Sequence, residues 1–342
     1  MTEISTTVWP RTELGAVSGE SWHVPSSALD PGRLAVADAR WHSSFVVAEM
    51  NSQPVGLLVL NRCRSAAFPA PIYDPAKVAP QLFEARPADS HLLIGGSTEL
   101  VSGYVTRTTL DESMRRRVGR ALVAAAIQHA ESLGLIPAAL YVRDEQLAEF
   151  RKPSGQADRP AVKLDEFAEL PVGGDYLSSL NHGRRSVVRR DWRRLEESGL
   201  RAVEEDPFAV MDETAELVAA VKERHDVPEH PRLAAMRLRR WAKEPLGRRL
   251  AFVVRDSAGG ILAATYGCHY DHVLELYEIG LTQSPDRHLA YVESMIYGPR
   301  RYAVREGCSS IHLGLGASRP KDLRGAMFSP VWAVAAGALT RD

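Results

Sequence analysis

A chain of 342 residues with 45% hydrophobic side chains is long enough for two domains, because single cores rarely grow past roughly 250 residues. Acidic and basic groups nearly cancel at a net charge of −1, which excludes a nucleic-acid packaging protein and confines any polyanion site to a local patch. Cys63, Cys268 and Cys308 lie far apart, which excludes a disulfide framework or a structural zinc site. No metal and no cofactor is expected, and with neither a leader-like start nor an apolar run of about 18 residues the chain reads as cytoplasmic and free of membrane contact.

In chain order, Ser44 to Met50 and Val55 to Leu60 are β-rich runs around Asn51-Ser52-Gln53-Pro54, a hairpin signal. Proline-rich Ala67 to Pro80 reads as an extended connector, followed by strand-like His91 to Gly95 and Gly103 to Leu110. From Asp111 to Gly134 apolar residues recur at helical spacing between an N-cap and a glycine stop. The strand Ala138 to Val142 follows, and polar RKPSGQADRP from Arg151 to Pro160 marks the joint, giving domains 1–155 and 156–342.

The second half begins with a strand at Ala161 to Leu170 and helices at Asp175 to Asn181, Arg184 to Ser198, within Val210 to His225, and around Leu233 to Lys243. A three-strand meander follows at Arg249 to Arg255, Ile261 to Tyr270 and Val273 to Leu281, then a helix His288 to Glu306 containing Pro299, and a strand Ser309 to Gly314. Strands and a helix thus return in one order, which is an α/β plan (a mixed α+β sheet) written twice.

Three segments carry a resemblance. YLSSLNHGRRSVVRRDWRRLEESG (Tyr176 to Gly199), LELYEIGLTQSPDRHLAYVESMIYGPRRYAVREGC, and IHLGLGASRPKDLRG (Ile311 to Gly325) resemble the FemAB/FemX-like and GNAT-related acyltransferases. The likeness covers most of residues 161–330, with a weaker echo in 40–145, and Pro320 stands where that family usually has an aromatic residue. It implies two tandem GNAT-like lobes and transfer of an activated acyl group, from aminoacyl-tRNA or from acyl-CoA, to an amine. The ending implies Lys321 and Arg324 as donor-site residues, a lysine and a guanidinium suited to phosphate or a developing oxyanion.

Acyl transfer to an amine needs a base or proton path and polarising donors. If Asp271-His272 is a two-residue turn, Tyr270 pairs with Val273, Cys268 with Glu275 and Tyr266 with Tyr277, and strand alternation places Tyr266, Cys268, Glu275 and Tyr277 on one face and Thr265, His269 and Glu278 on the other. Tyr266, Glu275 and Tyr277, with Lys321, are therefore the candidate catalytic residues, and His269 and Glu278 the candidate acceptor-binding ones. On the arginine-rich helix Val188, Trp192 and Leu195 form the expected buried stripe. Arg185, Arg189 and Arg193 lie along one flank, suited to the phosphates of a tRNA acceptor stem.

Arg116 to Ala121 fits the short R-x-x-G-x-A pattern of a CoA cradle but falls inside a predicted helix, and Ser284 to Ala290 has no glycine. The first reading is therefore an aminoacyl-tRNA-dependent aminoacyltransferase acting on a small-molecule or peptidoglycan-type amine. An acyl-CoA-dependent N-acyltransferase is its rival, and a non-catalytic binding module the third possibility.

Overall fold

The computed structural model describes residues 3–17, 21–36, 38–96, 100–225 and 227–335. It divides into two compact units, Met1–Asp165 with Ser329–Asp342, and Glu166–Phe328. The division thus falls ten residues beyond the predicted boundary at 155, and residues from Ser329 onward count with the first unit.

In the first unit β1 (Ser5–Pro10), β3 (Trp41–Met50) and β4 (Gln53–Cys63) form an antiparallel sheet, and the short β2 (Trp22–His23) pairs with β6 (Tyr104–Arg107). The β3–β4 turn has Asn51 and Ser52 at positive φ, the left-handed geometry such hairpins use. The other edge of β4 takes β5 (His91–Ile94) and β6, and β5 runs parallel to β7 (Ile136–Arg143). The final strand of the chain, Met327–Ala335, completes the unit by pairing Val331 with Arg143 and Trp332 with Val142 on β7. Helix α1 (Glu112–Ser132) starts where the Asp111 carboxylate accepts from the Met114 N–H at 2.8 Å. Its Val118, Leu122, Ala126 and Ala130 are buried against the sheet.

The second unit is a sheet in the order β8 (Ala161–Pro171), β13 (Ser310–Gly314), β12 (Val273–Leu281), β11 (Ile261–Tyr270), β10 (Arg248–Arg255), β9 (Ala202–Glu205). Only β12 and β13 are parallel. Helices cover both faces. Val188 and Leu195 of α2 (His182–Ser198) join a cluster with Phe252, Leu274 and Ile311, while Val210 and Val218 of α3 (Pro207–Glu223) and Leu238 and Trp241 of α4 (Pro231–Ala242) join one with Ala251, Ala264 and Tyr266. Burial on two sides explains why β11 reads as a continuous apolar run.

The predicted helix around His288 is not uniform. It runs as α5 (Arg287–Val292), a π-helical stretch Glu293–Tyr297, and α6 (Gly298–Arg305) with Pro299 in its first turn. A proline has no N–H for the carbonyl four residues back and its ring crowds that carbonyl, so a widened turn before Pro299 relieves both. Among the described residues, no helix is long and apolar enough to cross a membrane.

Candidate active site

The hairpin β11–β12 keeps the expected pairs Tyr270 with Val273 and Cys268 with Glu275. Beyond Gly267, opposite Leu276, the register shifts, so that Tyr266 faces Glu278 and Tyr277 is the extra residue. A bulge of this kind places two residues against one and lets neighbours in sequence turn the same way. Both then reach α4. The Tyr277 ring lies on Trp241 with centroids 4.9 Å apart, and the Glu278 carboxylate meets Arg237 at 2.6 Å. The expected pairing of Tyr266 with Tyr277 is therefore replaced, and strict alternation fails for Glu278.

A half-buried charge network surrounds Glu278. Arg237 grips Glu229 through two nitrogens at 2.8 and 3.1 Å and donates to the Tyr277 hydroxyl at 3.1 Å, while Lys222 of α3 sits 3.2 Å from Glu229 and 3.7 Å from Glu278. Burial alone would push the Glu229 carboxyl up, but Arg237 and Lys222 together hold it below the usual range. Tyr266 is fully buried, hydrogen-bonded to Thr214 and edge-on to Trp241; burial raises its phenol to about 12.

The other sequence candidates lie apart from this group. His269 does not join Glu278; its Nδ1 is 3.0 Å from the Tyr302 hydroxyl and its Nε2 3.1 Å from the Asp271 carbonyl. Glu275 pairs with His312 at 3.6 Å. Lys321, only 1% exposed, donates to the carbonyls of Gly314 at 3.1 Å and Leu315 at 2.9 Å, and so closes the turn that leaves β13. Arg324 is equally buried and donates to Asp191 at 2.5 Å and the Pro320 carbonyl at 2.8 Å; its guanidinium also lies 3.2 Å from Nε2 of His288. The Tyr297 hydroxyl donates to the same Asp191 oxygen at 2.8 Å.

Asp191, not Trp192, occupies the buried stripe of α2, between Val188 and Leu195. Its place three residues after Val188 is the signal that sequence reasoning passed over. Arg185 is tied to the Leu180 carbonyl at 2.9 Å, Arg189 and Arg193 are exposed, and Arg193 faces Glu197 at 3.8 Å. Sequence reasoning also missed Lys222, Glu229 and His288, and it read Arg237 only as part of a basic region, Arg232 to Arg249, suited to tRNA phosphates, not as the partner of Glu278 and Tyr277. Burial first, then Arg324, Arg190 and Arg194, push the His288 imidazole down against the opposing pull of Asp191, and so favour the neutral ring that can accept from Arg324.

The parallel ladder between β12 and β13 ends at Glu275 with His312, while β12 continues to Leu281. Beyond it the buried hydroxyls of Thr282, Ser284 and Tyr291 have no hydrogen-bond partner. Burial raises the Tyr291 phenol to about 12. Donors left unpaired beside a strand that parts from its neighbour suit a polar ligand. In the first unit the edge of β6 is closed instead: the Gln146 amide accepts from the Tyr104 N–H at 2.9 Å and donates to the Tyr104 carbonyl at 3.0 Å. There Arg116 to Ala121 lies within α1, and a Cβ at Gly119 would collide with the Tyr104 ring. That glycine serves packing.

Residues 182–322 match the family model described as an acetyltransferase (GNAT) domain, a span that includes Lys222, Glu229, Arg237, Tyr277 and Glu278 and stops short of Arg324. Among solved structures, the tandem GNAT protein from the clavulanic acid biosynthesis pathway covers 98% of this chain and 99% of its own at 14% identity and a TM-score of 0.54. The fold is a tandem GNAT fold. FemX aligns over 86% of this chain and 88% of its own, at 11% identity and a TM-score of 0.54. L-PGS from Bacillus licheniformis aligns over 83% and 82%, at 10% identity and a TM-score of 0.52. No curated protein matches the chain by sequence. The expected FemX-like, two-lobed α/β architecture is therefore the observed one, and the matched GNAT domain falls within the unit that carries the bulged strand.

Proposed function

We propose that this protein is an aminoacyltransferase that moves an amino acid from aminoacyl-tRNA to the amine of a small-molecule or peptidoglycan-type acceptor. The observation that carries acyl transfer is the Glu278 carboxylate, turned out by the bulge in β12 beside Tyr277 and held between Lys222 and Arg237. An incoming ammonium can take the position that Lys222 shares between Glu229 and Glu278. Once Glu278 has taken its first proton, the nitrogen attacks the ester carbonyl; the C–N bond forms as the C–O bond to the ribose breaks, the nitrogen's second proton passes to the departing ribose oxygen, and Glu278 releases the first to solvent. Lys321 and Arg324 act in this reading as positioning residues, holding the turn after β13 and the Asp191 pair, rather than as groups that touch the donor.

The tRNA donor is supported by the resemblance of Tyr176 to Gly199 to FemAB-like proteins and by the exposed arginines 189, 190, 193 and 194 on α2. Acyl-CoA remains the second reading. Against it in the first unit stands Gly119, packed under Tyr104 within a helix rather than cradling a phosphate.

Binding of purified protein to bulk aminoacylated tRNA and to acetyl-CoA, each at two salt concentrations, tests the choice. Salt-sensitive tRNA binding with transfer of labelled amino acid to an amine supports the proposal. Binding of acetyl-CoA alone overturns it in favour of the acyl-CoA enzyme, and binding of neither favours a non-catalytic module.

A further inference from the structure

The exposed face of α2 carries a feature that the acyl-transfer site does not use. Trp192 is 40% exposed, and its ring is braced by Tyr297 at 6.2 Å and Tyr176 at 6.3 Å. It borders an open cleft of about 420 Å³ whose apolar wall is Leu195 and Leu200, with Glu196, Arg201 and Arg301 at the other sides. Glu293, at the start of the π-helical stretch and 1% exposed, forms part of the same cleft, fixed by the Ala202 N–H at 2.9 Å and by Arg301. Arg189 lies one helical turn before Trp192, on the same stripe, and Arg193 is its neighbour; both are exposed.

A braced, exposed indole with cations leading away from it is the equipment of a single-stranded nucleic-acid site: every base offers a π face to stack, and arginines follow the phosphates. Carboxylates at the edge accept from the exocyclic amine of adenine or cytosine. We infer that this cleft takes an unpaired base from the single-stranded 3′ end of the RNA donor, stacked on Trp192, with Arg189 and Arg193 on the adjoining phosphates. The inference rests on the proposed tRNA-dependent reading and adds to it a hold on the tail upstream of its aminoacylated last nucleotide, since α2 and the Glu278 group lie on opposite faces of the sheet.

The test compares a hairpin RNA bearing a four-nucleotide single-stranded 3′ tail with the same hairpin blunt-ended, by fluorescence anisotropy on the full chain. Trp192→Ala is expected to weaken the tailed RNA at least tenfold and the blunt one less than twofold, with Trp192→Phe restoring most of the loss. Arg189→Glu with Arg193→Glu should weaken both. Equal effects of Trp192→Ala on the two RNAs, or none, overturn the inference while leaving RNA binding intact. Absence of any RNA binding by the wild type overturns the parent reading and the inference together. Competitive displacement of the tail by acetyl-CoA, lost in Trp192→Ala, would overturn the RNA assignment by giving the cleft to the adenine of CoA.

Discussion

Trp241 lies flat against Tyr277, with ring centroids 4.9 Å apart and planes 5° from parallel. The stack exists because the bulge at Tyr277 turns that side chain and the next towards α4, which brings Arg237 onto the Tyr277 hydroxyl and the Glu278 carboxylate together. Aromatic packing thereby fixes the position of a charged group.

If Glu278 takes the amine proton, Glu278→Gln should lower kcat by about 100-fold or more, the usual size of a general-base contribution, with Tm nearly unchanged. Steady-state transfer kinetics check this. A kcat within threefold of the wild type would remove Glu278 from the chemistry.

Asp191 and Arg324 are both almost wholly buried and bonded to each other. Asp191→Asn leaves the guanidinium charge in the core without its counter-ion, and such a loss costs roughly 3–5 kcal/mol. Urea unfolding should show a lower midpoint with an unaltered slope. A loss under 1 kcal/mol would mean that the Pro320 carbonyl and His288 suffice to hold Arg324.

In the first unit Glu149 is 1% exposed, and its carboxyl oxygens have no hydrogen-bond partner. Burial raises its pKa above the ordinary 4.5, with Arg116 and Arg120 only partly offsetting this. The folded chain therefore keeps a proton that the unfolded chain releases. Its contribution to stability is full below 4.5 and is lost as pH rises through the folded value. Glu149→Gln should flatten that decline and raise the urea midpoint at pH 8 more than at pH 5; identical pH profiles for the two proteins would contradict it.

Gly119→Ala separates packing from phosphate binding. The helix would gain up to about 1 kcal/mol from alanine, but the new methyl collides with Tyr104, and overpacking costs about 1–3 kcal/mol. The expected result is a lower Tm, relieved by adding Tyr104→Leu, with donor binding intact once the protein is folded. Loss of acetyl-CoA binding at unchanged Tm would instead assign Gly119 to a ligand.

Salt dependence tests the α2 surface. Arg190 and Arg194 are both exposed on this helix, so if they meet the donor's phosphates, Arg190→Glu with Arg194→Glu should weaken tRNA binding and shallow its log–log salt slope by about one for each phosphate no longer neutralised. An unaltered slope would clear these arginines of a role at the phosphates.

Helix α1 was legible in full because its evidence is local: Asp111 at the start, Gly134 at the end, and apolar residues at helical spacing between them. The meander was legible for the same reason. The stripe of α2 was read one position off, because Trp192 is apolar and Asp191 is charged. Only a partner 133 residues away, Arg324, makes the carboxylate the better buried residue.

By itself the sequence determined the two-fold α/β plan, most of the strands and helices, and the place of the β3–β4 hairpin turn, since periodicity and turn chemistry act over a few residues. Tertiary structure alone decided that the final strand pairs with β7, that Tyr277 bulges, that Lys321 and Arg324 point into the core, and that Lys222, Glu229 and Arg237 gather around Glu278. Those outcomes depend on which distant groups can satisfy a buried charge or an unpaired strand edge, and residue spacing along the chain carries no record of that.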